Sequence, residues 1–338
     1  MMERILKMKR QIILKSRPVG LTVPENFEIR EITLPELSNG QVRLTPHTFS
    51  VDPYLRGRMN DGPSYIAPFQ VGEPIVGGGI ARVTESLAEG FKVGEYVSGY
   101  MPWQEEIILD SAGLNIVNES IAPLSYYLGV LGMPGLTAYF SLLGIGNLKK
   151  GETIVISGAA GAVGIVAGQL AKIAGCRVVG ITGGDDKVNY LLNEINLDVA
   201  INYKTCRDLS TAVEAACPSG VDVYFDNVGG EISDVVINKI NKFARIIICG
   251  QISLYNVTSP PAGPRIQGLL LKRSALMQGF LINNYTSKFT EGVQALSLLV
   301  KNGELKYTNT TYFGFEKLPE AFLALFEGKN LGKLIVEL

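Results

Sequence analysis

The sequence predicts an α/β protein in two domains, an all-β barrel and a doubly wound parallel sheet. Three observations carry this expectation. A strand, a glycine-rich corner, a helix and a second strand follow in order from Glu152 to Gly184; short β-type runs fill Gln11 to Leu109; helices and short strands alternate after Gly184. At 338 residues and 46% hydrophobic content, the chain has room for about two domain cores.

The stretch from Glu152 to Gly184 organises the rest. Thr153 to Ser157 is short, β-branched and bounded by Gly151 and Gly158, as suits a strand buried on both faces of a parallel sheet. Val163, Val166, Leu170 and Ile173 recur at helical spacing with Ala167, Ala171 and Ala174 beside them, which predicts a helix lying close on that sheet. Between strand and helix, Ala159 to Gly164 matches the dinucleotide fingerprint, with Ala159 in the first glycine place and Gly161 and Gly164 in register. The fingerprint serves backbone amides at a helix N-terminus that face a pyrophosphate. Gly161 leaves room for its approach and Gly164 lets helix and strand meet. Alone such a motif is weak; in this ordered context it predicts a dinucleotide site.

From Gln11 to Leu109 the β runs are QIILK, FEIREITLP, QVRLTP, EPIVGGGIARV, EYVSGY and EEIIL, separated by Pro, Gly and Asn, which predicts a barrel-like domain. Within it, Asp52-Pro53 is expected to turn the chain and leave Tyr54, Arg56 and Arg58 near a surface or cleft. A plain loop with a half-buried tyrosine explains these residues equally well. Ser125 to Leu143 is apolar with a glycine-proline break, expected to cross into the second domain as a helix pair. DKVNYLLNEIN, DLSTAVEAAC and EISDVVINKI then read as helices, and Val199 to Asn202, VDVYFDNV, RIIICG and ALMQGFLI as strands. A last helix spans Lys288 to Asn302, after which strand, helix and strand return to the barrel. The expected division is 1–128 with 303–338 for the barrel and 129–302 for the nucleotide domain.

Net charge of −1 and a pI near 6.0 give no reason to expect nucleic acid or an anionic membrane as partner. No run approaches the roughly 18 apolar residues of a membrane helix. The opening MMERILKMKRQ lacks the apolar core of a secretory signal, so the expected location is the cytoplasm. Cys176, Cys206, Cys217 and Cys249 form no CxxC, which suits reduced thiols rather than a disulfide or zinc framework. The barrel half holds no cysteine and only His47, so no metal is expected, zinc alcohol dehydrogenase chemistry lacks its ligands, and a Ser-His-Asp hydrolase has no Gly-x-Ser-x-Gly elbow. No tyrosine stands four positions before a lysine, as short-chain dehydrogenases require.

VDPYLRGRM, SGAAGAVG, NYKT, YFDNVGGE, ICGQISLYN and NLGKLIVE occur in order across nearly the whole chain. In these motifs the sequence resembles the zinc-independent medium-chain dehydrogenase/reductases of the leukotriene B4 12-hydroxydehydrogenase branch, which includes prostaglandin, alkenal double-bond and curcumin reductases. The resemblance implies a GroES-like β-barrel catalytic domain, a Rossmann domain and NADPH bound between them. It implies that Gly161, Ala162, Val163 and Gly164 touch the phosphates, that Lys187 and Tyr203 meet the 2′-phosphate, and that Asn227 lines the cleft. Cys249, Gly250, Gln251, Ile252, Ser253, Leu254 and Tyr255, with Phe280, Leu281 and Ile282, would border the nicotinamide, and Asn330 would contact its ribose or ring. Ala160 stands where some relatives carry serine, which removes one hydroxyl from the phosphate site.

The implied reaction is reduction of the carbon-carbon double bond of α,β-unsaturated aldehydes or ketones. Hydride addition at the β-carbon leaves negative charge on the carbonyl oxygen, so a donor is needed there and a proton at the α-carbon. Tyr255 is the first candidate and Tyr54 the second, with cofactor hydroxyls and a purely apolar wall as alternatives. NADPH is preferred over NADH on the sequence, because RVVGIT ends in Gly183-Gly184 where an NAD enzyme places an acid; Asp185 and Asp186, however, flank Lys187. A small apolar carbonyl compound is the expected partner, and the resemblance adds a homodimer with ALMQGFLI as the candidate edge strand. Quinone reduction on the same fold is the rival activity, and a nucleotide-binding sensor or structural protein without turnover is a third reading.

Overall fold

The computed structural model describes residues 8–259 and 261–338, so most of the basic opening read above lies outside the described residues. The chain forms two units: one takes it to Leu128 and again over Asn309–Leu338, and the other is Gly129–Thr308.

The first unit begins with β1 (Lys9–Leu14) paired antiparallel to β2 (Phe27–Ile32). Then come β3 (Gln41–Ser50), α1 (Tyr54–Arg58), β4 (Val76–Ser86), β5 (Tyr96–Pro102), β6 (Ile107–Asp110) and β7 (Asn115–Val117). Pro46 cannot donate to a ladder, and the β3–β4 register shifts beside it. The core closes on Trp103, whose ring stacks on Phe27 with centroids 6.3 Å apart.

Two expectations need correction here. Asp52-Pro53 does not simply turn the chain: Pro53, at φ −63°, starts the short helix α1, as its fixed φ favours. Arg56 is accordingly buried at 2% exposure, donating to Gly20 O at 2.8 Å and Asn60 Oδ1 at 2.6 Å, and it holds loops together instead of facing a cleft.

The second unit opens with α2 (Met133–Ser141). The expected helix pair is one helix: Leu124–Leu128 is a single tight turn, and α2 ends in a widened turn over Leu142–Gly146. β8 (Thr153–Ser157), α3 (Ala162–Ile173), β9 (Arg177–Thr182), α4 (Asp185–Asn193), β10 (Val199–Asn202), α5 (Leu209–Ala216) and β11 (Val221–Asp226) follow. Next are α6 (Gly230–Ile237), β12 (Ile240–Ile248), α7 (Gln267–Arg273), β13 (Leu276–Gly279) and α8 (Phe289–Lys301).

Their sheet runs β10-β9-β8-β11-β12-β13 with every pair parallel, so the order reverses between β8 and β11. All five residues of β8 are buried, as two helix-covered faces demand. At the amino edge, Arg245 on β12 reaches across β11 and donates to both Glu152 oxygens at 2.8 and 2.6 Å, and to Gly146 O at 2.9 Å.

The chain returns to the first unit as β14 (Asn309–Phe313), α9 (Leu318–Phe326) and β15 (Lys333–Glu337). Its sheet is ordered β14-β15-β3-β4-β5-β7, with β6 also on β3. The returning segment thus joins the sheet through β15 on β3, where Ile335 pairs with Ser50.

Candidate active site

At the carboxyl edge of the second unit's sheet, the fingerprint forms the corner between β8 and α3. Gly161 caps the helix in extended backbone, and its amide donates to Gly158 O at 3.0 Å. Ala162 and Val163, in the first turn, are half-exposed. A Cβ on Gly164 would lie 2.4 Å from Gly158 O and 2.7 Å from the Ala159 Cα, so only glycine lets α3 close onto the strand. A Cβ on Gly161 would meet only Gly158 O, at 3.2 Å, which leaves its outer side open.

Beyond β9, a Cβ on Gly183 would meet the Tyr203 ring at 2.8 Å and the Lys204 Cε at 2.9 Å, so both side chains fold over this glycine. Lys187, on α4, is buried at 9% exposure; burial lowers its pKa, Asp186 opposes that shift and Lys204 reinforces it. Asp185 turns away and accepts from Asn202 Nδ2 at 2.7 Å. Two lysines and a tyrosine therefore share this patch, and Lys204 is a member that the sequence reading missed.

On the other side of the switch point, Ser157 and Asp226 join the ends of β8 and β11. Ser157 Oγ donates to Asp226 Oδ1 at 2.8 Å and accepts from the Asn227 amide at 2.9 Å, while Asn227 Nδ2 donates to Ser157 O at 2.8 Å. Cys249 and Gly250 donate their amides to Asp226 O at 2.8 and 3.0 Å. Burial, with Asp226 second, pushes the Cys249 thiol up to about 12.

An open pocket of about 340 Å³ lies here, lined by Cys249, Gly250, Gln251, Tyr255, Phe280 and Leu281, and also by Ile248, Gly279 and Asn284. Ile252, Ser253, Leu254 and Ile282 do not line it; Ser253 Oγ is turned to Val228 O at 2.6 Å. Tyr255 Oη accepts from the Gln251 amide at 3.3 Å, which leaves its own proton to donate elsewhere, and burial raises its pKa.

Tyr54 and Asn330 belong to the first unit. Tyr54 neighbours Tyr100, which is 55% exposed; burial, then Asp52 and Tyr100, raises the Tyr54 pKa well above its ordinary value. Asn330 Nδ2 donates to Gly332 O at 3.0 Å, and the buried Lys333 then begins β15. His47 shares a 2.6 Å hydrogen bond with Thr48 Oγ1 through Nδ1, within β3.

These residues fit a dinucleotide bearing a 2′-phosphate. The N-terminus of α3 suits the pyrophosphate and the two lysines near Gly183 suit the extra phosphate, while the Asp186 carboxylate lies against Gly184, its Oδ1 2.5 Å from where a Cβ would stand. A β-barrel unit together with such a parallel-sheet unit defines a nucleotide-dependent oxidoreductase of the medium-chain dehydrogenase/reductase class.

Comparison with known proteins resolves the branch. Residues 10–117 match the family described as the N-terminal domain of oxidoreductase, and 162–298 the one described as zinc-binding dehydrogenase. The NADPH-dependent curcumin reductase of Escherichia coli is 40% identical over 97% of this chain and 96% of its own. Rat prostaglandin reductase 1 is 42% identical over 96% and 97%. The crystal structure of CurA from Vibrio vulnificus in complex with NADPH superposes with a TM-score of 0.92 at 40% identity, covering 97% of this chain and 98% of that one. Solved quinone oxidoreductases align at 19–20% identity and share the fold alone. The chain belongs to the medium-chain dehydrogenase/reductase family, in the branch of the curcumin and prostaglandin reductases.

Proposed function

We infer that this protein is an NADPH-dependent reductase of the carbon-carbon double bond of α,β-unsaturated aldehydes and ketones. The observation that carries the reading is the site's fit to NADPH in a chain that matches two such reductases along nearly its whole length. Bound NADPH supplies a hydride to the β-carbon of the substrate.

The chain supplies position and a proton. The α3 amides hold the pyrophosphate, and Lys187, Tyr203 and Lys204 hold the 2′-phosphate. Phe280, Leu281 and Ile248 offer apolar surface to a flat carbonyl compound. Tyr255 donates to the carbonyl oxygen as charge develops there, and burial keeps its hydroxyl protonated for that task. Tyr54 is the second candidate donor, and Asn227 and Asn330 complete the cofactor contacts.

No metal is assigned a role: the barrel's single histidine is engaged within a strand, and the barrel sequence has no cysteine to join it. The cytoplasm suits four thiols without a disulfide. Among the described residues no helix is long and apolar enough to cross a membrane. A homodimer through β13 is supported by its place at the sheet edge, where unpaired backbone groups and Leu276 at 46% exposure favour a second copy; light scattering giving a monomeric mass at micromolar concentration would remove it.

The deciding experiment incubates the protein with NADPH and either curcumin or a simple enone, with a quinone in parallel, and analyses products. Saturation of the conjugated double bond is expected. Nucleotide oxidation with the quinone alone would replace this reading with quinone reduction.

A further inference from the structure

Asp226 is a buried carboxylate next to pocket residues that the reading above leaves without a task. It ends β11, on the side of the switch point opposite the cationic patch over Gly183. A dinucleotide crosses that point with one half on each side, so the phosphate-bearing adenosine on the β9 side leaves the nicotinamide half on the β11 and β12 side.

Its surroundings are unusual for a buried acid. Asp226 is 0% exposed, and Oδ1 accepts from four donors: Ser157 Oγ at 2.8 Å, Tyr224 Oη at 2.9 Å, and the Val228 and Gly229 amides at 3.0 and 2.9 Å. Four donors converging on one oxygen suit an anion. Oδ2 has no hydrogen-bond partner, and among the described residues no lysine or arginine pairs with either oxygen. A buried carboxylate without a counter-ion projects its field into its surroundings. That field reaches the pocket: beside the larger effect of burial, Asp226 adds to the raised pKa of both Cys249 and Tyr255, which line it.

We propose that the Asp226 carboxylate tunes the bound cofactor, its negative charge favouring the cationic oxidised nicotinamide over the neutral reduced one and so strengthening hydride donation. The inference rests on the NADPH-dependent reading. In the reaction the C4–H bond of the dihydronicotinamide breaks with both electrons leaving, a C–H bond forms at the substrate β-carbon as the C=C π pair moves onto the carbonyl oxygen, the enolate then takes a proton at the α-carbon, and the nicotinamide ring gains one positive charge. Asp226 therefore acts on the charge difference between the two cofactor states. It is a positioning and electrostatic residue that touches neither.

The test is the ratio of NADP+ to NADPH affinity, measured by calorimetry or fluorescence without turnover. Asp226→Asn keeps shape and an acceptor oxygen while removing the charge. A unit charge about 10 Å away at an effective dielectric of about 20 corresponds to roughly a tenfold effect. The variant should thus lose NADP+ affinity about tenfold relative to NADPH, equivalent to raising the bound couple's potential by about 30 mV. A purely structural clasp would lose both affinities in parallel, and an unchanged ratio overturns the proposal. Should the variant not fold, the wild type decides: NADP+ should bind at least as tightly as NADPH, and a tenfold preference for NADPH overturns it. A protein that binds neither nucleotide would remove the functional reading, and this inference with it; a changed ratio supports both.

Discussion

Lys333 and Asp52, 281 residues apart in sequence, form an ion pair inside the first unit, with Nζ 2.9 Å from Oδ1 and side-chain exposures of 2% and 6%. Lys333 also donates to Val51 O at 2.7 Å, and Ser50 Oγ donates to Asp52 Oδ2. The pair ties the segment leading to Tyr54 to the segment that follows Asn330, so two candidate site residues hang from one buried contact.

Removing one member leaves the other charged and buried. Lys333→Met should destabilise the protein by about 3–5 kcal/mol, and adding Asp52→Asn should restore much of the loss. Denaturant unfolding of both variants measures this. A single variant as stable as wild type would show the pair to be dispensable.

For the patch over Gly183, Lys187→Ala should lower NADPH affinity roughly ten- to a hundredfold and leave NADH unaffected, since one charge-assisted contact contributes about 1.5–3 kcal/mol. Lys204→Ala should act in the same direction. Titration with both nucleotides is the measurement; equal losses for NADH would move these lysines out of the phosphate site.

Tyr255→Phe keeps the ring and deletes the hydroxyl. We expect kcat with an enone to fall a hundred- to a thousandfold, about 3–4 kcal/mol, with KM little changed. Burial raises the Tyr255 pKa above its ordinary 10.0, so the protonated donor form is retained as pH rises to that value and is lost only beyond it. Any alkaline limb due to this group therefore lies above pH 10.0. A variant within about threefold of wild type in kcat would make Tyr255 a wall.

Prolonged chelation should leave double-bond reduction unchanged. Activity that follows stoichiometric zinc would refute the metal-free mechanism.

The second unit was legible wherever local pattern and burial agree. β8 coincides with its short β-branched run, as a strand buried on both faces requires, and β9 covers RVVGIT with only Arg177, its first residue, exposed. α7 was hidden: its residues follow a proline-rich stretch, and no Ser, Thr, Asp or Asn caps its start. β7 has only three residues, too few for alternation to register. In the site, Gly164 was readable because its constraint is local. Lys204 was not, since its side chain folds back over Gly183 from 21 positions further along. Asn284 enters the pocket from a turn that carries no motif. Asp226 did leave a signal, a carboxylate closing the otherwise apolar VYFD run.

The reach of Arg245 across β11 to Glu152 gives the sheet a division of labour useful to engineers. Its anchoring ion pair lies at the amino edge, whereas Gln251, Tyr255, Leu281 and Asn284 approach the pocket from segments beyond the carboxyl ends of β12 and β13. Libraries that randomise those segments around a fixed Tyr255 can retarget the enzyme toward bulkier or more polar electrophiles while the anchor and the five buried residues of β8 stay fixed. Selection for new substrates then draws on positions whose variation the scaffold tolerates.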